Sequence, residues 1–150
     1  MNKSKEAKAL FGKGLNCAQS ILFTYGKEYF KENSSAFKLA SGFGAGISYR
    51  GEMCGAVSGA LMIIGLNYGC TDLTVDASKE SLYKISKEFI EIFNKQNGSV
   101  LCNKLIDCEI NTPEGLQYAR QKDLFNNICP KLVENASEVL EFIFQKYPIS

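Results

Sequence analysis

Residues 53–66 constrain the fold of this chain more than any other stretch. They form an apolar run of 14 residues within a chain of 150. A bilayer-spanning helix needs about 20 apolar residues, so this run is too short to cross a membrane. A helix without a polar face must be covered on all sides, which makes it central. Gly55 and Gly59 lie four residues apart on one face, and Ala56 and Ala60 repeat the spacing beside them. Side chains this small let a neighbouring helix approach backbone to backbone. The expected architecture is an all-α, single-domain helical bundle covering residues 1–150. It would contain six to eight helices, with the small-residue helix at its centre.

The rest of the chain agrees with that class. Strand-like alternation is scarce, and apolar residues recur at helical spacing. Residues 3–11 read as a leading helix ended by Gly12 and Gly14. Asn16 reads as the cap of a helix carrying Cys17, Ile21, Leu22 and Tyr25. Ser34 or Ser35 is expected to cap a short helix, broken by Gly42, Gly44 and Gly46. Asp72 or Asp76 opens a helix whose buried stripe is Leu82, Ile85, Phe89, Ile92 and Phe93, and Gly98 stops it. Ser99 is expected to cap a short helix holding Cys102 and Leu105. Thr112 and Pro113 mark a strong start, with proline at the first helical position. A last start is expected at Cys129 and Pro130, leading into a stripe of Leu132, Val133, Ala136, Val139, Leu140 and Ile143.

Charge is balanced, with 17 basic and 16 acidic residues. No basic surplus points to nucleic acid. The N-terminus is charged without an apolar stretch behind it, unlike a secretory signal, and the expected location is cytoplasmic. Structural disulfides are rare there, so cysteines more often bind metals or do redox chemistry.

Six cysteines and no histidine therefore set the chemistry. The commonest general base and nitrogen ligand is missing, and a Ser-His or Cys-His pair is excluded. Cys17, Cys54, Cys102 and Cys129 each fall where a helix is expected to start. Unpaired amides and the positive end of a helix dipole favour thiolate there, and such positions can lower a thiol pKa. Arg50 lies just upstream of Cys54 and could add positive charge. No Cys-x-x-Cys occurs, so thioredoxin-like and zinc-ribbon sites are disfavoured and any site must assemble in space. Cys102 and Cys108 are the closest pair, and a turn at Asp107 could bring them together. Cys70 reads as a small buried hydrophobe.

The stretch from Gly42 through Gly44, Gly46 and Arg50 to Met53, Cys54, Gly55, Ala56 and Gly59 resembles the core motif of the C_GCAxxG_C_C family. Those are small bacterial and archaeal proteins described as redox-active. Asn16, Cys17, Ala18 and Gln19 resemble the family's first cysteine. Gly98, Cys102, Leu105, Cys108, Pro113 and Gly115 resemble its C-terminal half, and Cys129 its last cysteine. The family label reads Gly-Cys-Ala where this chain has Met53, Cys54, Gly55 and Ala56. Cys54 aligns with the motif cysteine because only then is the following Ala-x-x-Gly run kept. The resemblance spans roughly residues 11–145 and implies an all-helical fold with a redox or metal role.

Together these readings make Cys17, Cys54, Cys102, Cys108 and Cys129 the candidate catalytic thiols. Cys17, Cys54, Cys102 and Cys129 are the candidate metal ligands, for an iron–sulfur cluster or zinc. Gly44, Gly46, Arg50 and Gly55 are the candidate cofactor-binding residues, because a glycine loop before a helix can accept an anion. The expected partner is an electron donor or acceptor protein, with no nucleic acid and no membrane span. A homodimer through the small-residue face is a further expectation. The alternatives are a structural zinc protein, a helical module binding a small ligand or partner, and a helical domain whose cysteines merely fill the core. Tyr25, Tyr49 and Tyr68 lie near glycine turns, where packing or a pocket wall would account for them.

Overall fold

A computed structural model describes residues 2–72 and 76–149. Side chains set three of its helix starts. Asn2 accepts the Lys5 amide at 2.9 Å and opens α1, Lys3–Gly12. Asn16 opens α2, Cys17–Gly26, with a reciprocal cap: its Oδ1 accepts the Gln19 amide at 2.8 Å, and Gln19 Oε1 accepts the Asn16 amide at 2.9 Å. Thr112 Oγ1 accepts the Gly115 amide at 3.0 Å and opens α7, Pro113–Gln121, with proline at its start. Each such cap contributes about 1 kcal/mol. The remaining helices are α3 (Asn33–Ala40), α4 (Gly55–Tyr68), α5 (Asp76–Asn97), α6 (Cys102–Leu105) and α8 (Leu124–Lys146). The described residues thus hold eight right-handed helices and no strand, as the periodicity predicts.

The central helix is α4. It packs against α2, α5 and α8, while α1 lies along α8. Gly55 and Gly59 face α2. A β-carbon on Gly59 would lie 2.9 Å from the Ala18 carbonyl oxygen and 3.0 Å from Ile21 Cβ. The small-residue face is therefore occupied within the chain and is not a surface awaiting a second copy. Phe89 and Phe93 of α5 and Leu140 and Ile143 of α8 are fully buried, and burying a side chain of this size is worth about 1.5–3 kcal/mol.

Three helix starts differ from the sequence reading. The α3 helix begins at Asn33 after Glu32, ahead of the expected serines. The cap of α6 is Leu101; Ser99 only offers its hydroxyl to the Leu101 amide at 3.0 Å. Leu101 is held extended by an antiparallel bridge to Met53, so the helix cannot start earlier. The α8 helix begins at Leu124, leaving Cys129 and Pro130 in its interior. An internal proline costs about 3 kcal/mol, but Leu124, Phe125 and Ile128 also pack on the core, so extending the helix buries another apolar turn. At α5 the cap position lies outside the described residues, and Asp76 is the first helical residue.

Between α3 and α4 the backbone takes an unusual course. Residues 45–49 all have positive φ, from 53° at Ala45 to 69° at Ile47, forming a left-handed turn. Ala45, Ile47, Ser48 and Tyr49 are not glycine, and the left-handed conformation costs about 1–2 kcal/mol for each such residue. Hydrogen bonds hold the turn closed, from the Ser48 amide to the Gly44 carbonyl at 2.9 Å and from the Glu52 amide to the Gly46 carbonyl at 3.0 Å. At Gly46 a β-carbon would come within 2.7 Å of Cys102 Cβ, so only glycine fits.

Two glycines of α4 test the central packing. Alanine at Gly65, which has open space around it, should stabilise the protein by about 1 kcal/mol through helix propensity. Alanine at Gly59 gains the same propensity but presses on α2, and should destabilise by about 1–3 kcal/mol. Urea unfolding of Gly59→Ala and Gly65→Ala should give opposite signs.

Candidate functional site

Three local structures bring sulfurs from distant parts of the sequence to one place. The close crossing of α2 and α4 sets Cys17, first residue of α2, near Cys54, the cap of α4. A β-carbon on Gly55 would sit 3.1 Å from Cys17 Cβ. A short antiparallel rung places Cys102 beside the same point: the Cys54 amide donates to the Val100 carbonyl at 2.8 Å and the Cys102 amide to the Glu52 carbonyl at 2.6 Å. The long helix α8 then delivers Cys129 from its interior. All four cysteines line one hollow of about 250 Å³. Each is almost covered, with exposures of 6% for Cys17, 3% for Cys54, 6% for Cys102 and 4% for Cys129.

The other walls are mostly apolar, among them Phe11, Leu15, Leu105, Ile106, Phe125 and Leu132. Asn16 and Asn126 add amides, and Tyr49 and Arg120 complete the lining. The Arg120 guanidinium lies over the Tyr49 ring, 5.4 Å from its centroid, within the range of a cation–π contact.

Cys17 and Cys129 shift each other in opposite directions: Cys17 is pushed well above its ordinary value, first by Cys129 and then by burial and the neighbouring sulfurs, while Cys17 draws the Cys129 thiol below its ordinary value. Of the two, Cys129 gives up its proton first. Burial raises Cys54 to about 11 even though the nearby Ala56 and Val57 amides pull the other way. Burial also raises Cys102 to about 12, followed by the charges of Cys54, Cys129 and Cys108.

These values correct the expectation that all four helix starts would acidify their thiols. Desolvation outweighs the helix terminus at Cys54 and Cys102, and at Cys17 the neighbouring Cys129 and desolvation together do so. The one acidified thiol, Cys129, is not at a helix start at all. It is lowered by Cys17, from another helix.

The other candidates fall as follows. Cys108 is half-buried outside the hollow, and its thiol donates to the Gly115 carbonyl at 3.2 Å. The turn at Asp107 is present, with φ 52°, but it directs Cys108 toward α7 and not to the shared cavity. Cys70 is exposed, so the buried reading is wrong; it follows the last turn of α4, where the chain leaves the core. Arg50 is also outside, paired at the surface with Glu52 at 3.2 Å. Gly46 and Gly55 line the hollow, while Gly44 packs against Asn16. Of the three tyrosines, Tyr49 is a wall, whereas Tyr25 and Tyr68 bond the Ser137 and Tyr147 carbonyls. Arg120 was not singled out by the sequence, since a lone arginine in the last turn of an amphipathic helix reads as a solvated residue. No group of three or more cysteine and acidic side chains is arranged as a metal ligand set among the described residues.

The sequence matches a family model described as "Putative redox-active protein (C_GCAxxG_C_C)" over residues 15–143. The chain belongs to this family. No curated protein and no solved structure matches it. The matched span includes every cysteine of the hollow and ends within α8. Among the described residues no helix is long and apolar enough to cross a membrane.

The thiol pKa values carry a stability consequence. The fold favours the neutral forms of Cys54 and Cys102, a contribution complete below the ordinary thiol value of 9.0 and lost as pH rises toward about 11 and about 12. Stability measured by urea unfolding should therefore fall between pH 9 and 11. The fall should be shallower in Cys54→Ala.

Proposed function

We propose that the protein is a thiol–disulfide redox protein whose working pair is Cys129 and Cys17. Cys129 is the nucleophile and Cys17 the resolving thiol. The shared cavity carries this reading: both sulfurs line one hollow, and of the four thiols there Cys129 alone is drawn below its ordinary value, by Cys17. A thiolate attacks one sulfur of an incoming disulfide, and the bond to the other sulfur breaks. No histidine is needed, because the proton for the departing thiolate comes from Cys17. Cys17 then displaces the remaining fragment and closes the Cys17–Cys129 disulfide. The two protein thiols lose two electrons and the substrate gains them. Cys54 and Cys102, neutral at ordinary pH, form the apolar floor around the pair.

The test is mild oxidation of the fully reduced protein, followed by peptide mapping. A Cys17–Cys129 bridge that reductant reverses is the expected product, absent from Cys129→Ser and from Cys17→Ser. Oxidation confined to Cys70 and Cys108, with the four buried thiols still alkylatable after denaturation, would sink the proposal. In the folded protein Cys129 should also be the first of the four buried thiols to be alkylated as pH is raised, and Cys17→Ala should slow that reaction by removing the neighbour that lowers it.

One observation favours a second reading: four thiols face a single hollow. As thiolates, Cys17, Cys54, Cys102 and Cys129 have the chemistry of ligands to an iron–sulfur cluster or to tetrahedral zinc, although their side chains would have to move together to form a ligand set. Metal and acid-labile sulfide analysis of anaerobically purified protein separates the two readings. Stoichiometric iron with sulfide, or zinc whose removal unfolds the protein, would favour the metal centre.

A further inference from the structure

Arg120 is the only charged side chain among the residues lining the hollow, and no carboxylate lines it. Among the described residues it has no ion-pair partner; its described contact is the Tyr49 ring beneath it. Its N–H fork matches a planar bidentate acceptor such as a carboxylate. The left-handed turn places Tyr49, and so helps place the cation, on the cavity wall.

Size sets a second limit. The four sulfurs are almost wholly covered, and the cavity holds about 250 Å³. A disulfide on a folded partner has both its Cα atoms within about 7 Å of each other, so its chain would have to enter with it. A small molecule can place one sulfur inside and keep its polar end at the wall.

We infer that the substrate of this site is a low-molecular-weight disulfide bearing a carboxylate, with Arg120 binding the carboxylate while the sulfur reaches Cys129. The inference rests on the Cys17–Cys129 reading above. With substrate R–S–S–R′, Cys129 forms a bond to one sulfur and R′–S⁻ leaves, taking the proton of Cys17. Cys17 thiolate then attacks Cys129 sulfur and R–S⁻ departs. The products are the Cys17–Cys129 disulfide, one thiol and one thiolate, so charge and electrons balance. Arg120 also offsets the repulsion between an anionic substrate and an anionic nucleophile.

The test uses two probes of matched size, dithiodiglycolate and its neutral diamide, against the full-length reduced protein. The readout is the rate of Cys17–Cys129 bridge formation with each, and the selectivity is their ratio. Arg120→Gln should lower the selectivity for the carboxylate probe by about tenfold, the scale of a charge-assisted bidentate hydrogen bond. Arg120→Lys, which keeps charge but not the fork, should lie between. Raising ionic strength should weaken the preference in the wild type and leave that of Arg120→Gln nearly flat. An unchanged ratio in Arg120→Gln would overturn the carboxylate assignment while leaving the thiol pair intact. Failure of both probes and of mild oxidants to bridge the pair would instead overturn the Cys17–Cys129 reading itself. Arg120 is exposed, so circular dichroism of the variants should show an unchanged fold.

Discussion

The close approach of α2 and α4 underlies the rest of the structure. At Gly55 and Gly59 the two helices come so near that any β-carbon would press on Cys17, Ala18 or Ile21. The contact does two things at once. It seats the apolar α4 in the middle of the bundle, and it sets the first residue of one helix beside the cap of the other. Cys17 and Cys54 meet because their helices touch there. A larger residue on either side would separate the helices and the sulfurs together.

The second organising element is costly. Four non-glycine residues in a left-handed turn represent several kcal/mol of strain by the usual scale. The turn persists because its own hydrogen bonds and the rung from residues 51–54 to 100–103 fix both ends. It carries the chain from α3 to the start of α4 in a few residues, packs Gly46 on Cys102 and presents Tyr49 to Arg120. Strain of this kind concentrates where a site must be held in one shape.

The thiols of the hollow are shifted apart. Burial raises Cys54 and Cys102, Cys129 and then burial raise Cys17, and Cys17 lowers Cys129. A helix start is therefore a poor guide to thiol acidity once the sulfur is buried. Desolvation and a neighbouring thiol both outweigh the dipole of a helix end.

The helical class, the central place of residues 53–66, the strong starts at Asn16 and Thr112 and the buried stripes of α5 and α8 are legible in the sequence, because they depend on spacing and cap chemistry along one helix. Cys17, Cys54, Cys102 and Cys129 stand out as candidates in the sequence too, from their number and motif. Their grouping is not, since it depends on contacts between segments up to 112 positions apart, as the Tyr25–Ser137 bond illustrates. The start of α8 was misplaced because Pro130 normally marks a beginning, and only the packing of Leu124, Phe125 and Ile128 shows why the helix continues through it. Arg50 and Arg120 exchange roles for the same reason. Proximity in sequence favours Arg50 as the neighbour of Cys54, but the left-handed turn carries it outward to Glu52 and leaves Arg120 at the cavity. The sequence by itself determined which elements form and which atoms can do chemistry. The tertiary structure alone decided which sulfurs share a cavity, how burial and neighbours shift each thiol and which cation stands on the cavity wall, because contacts between distant helices set all three.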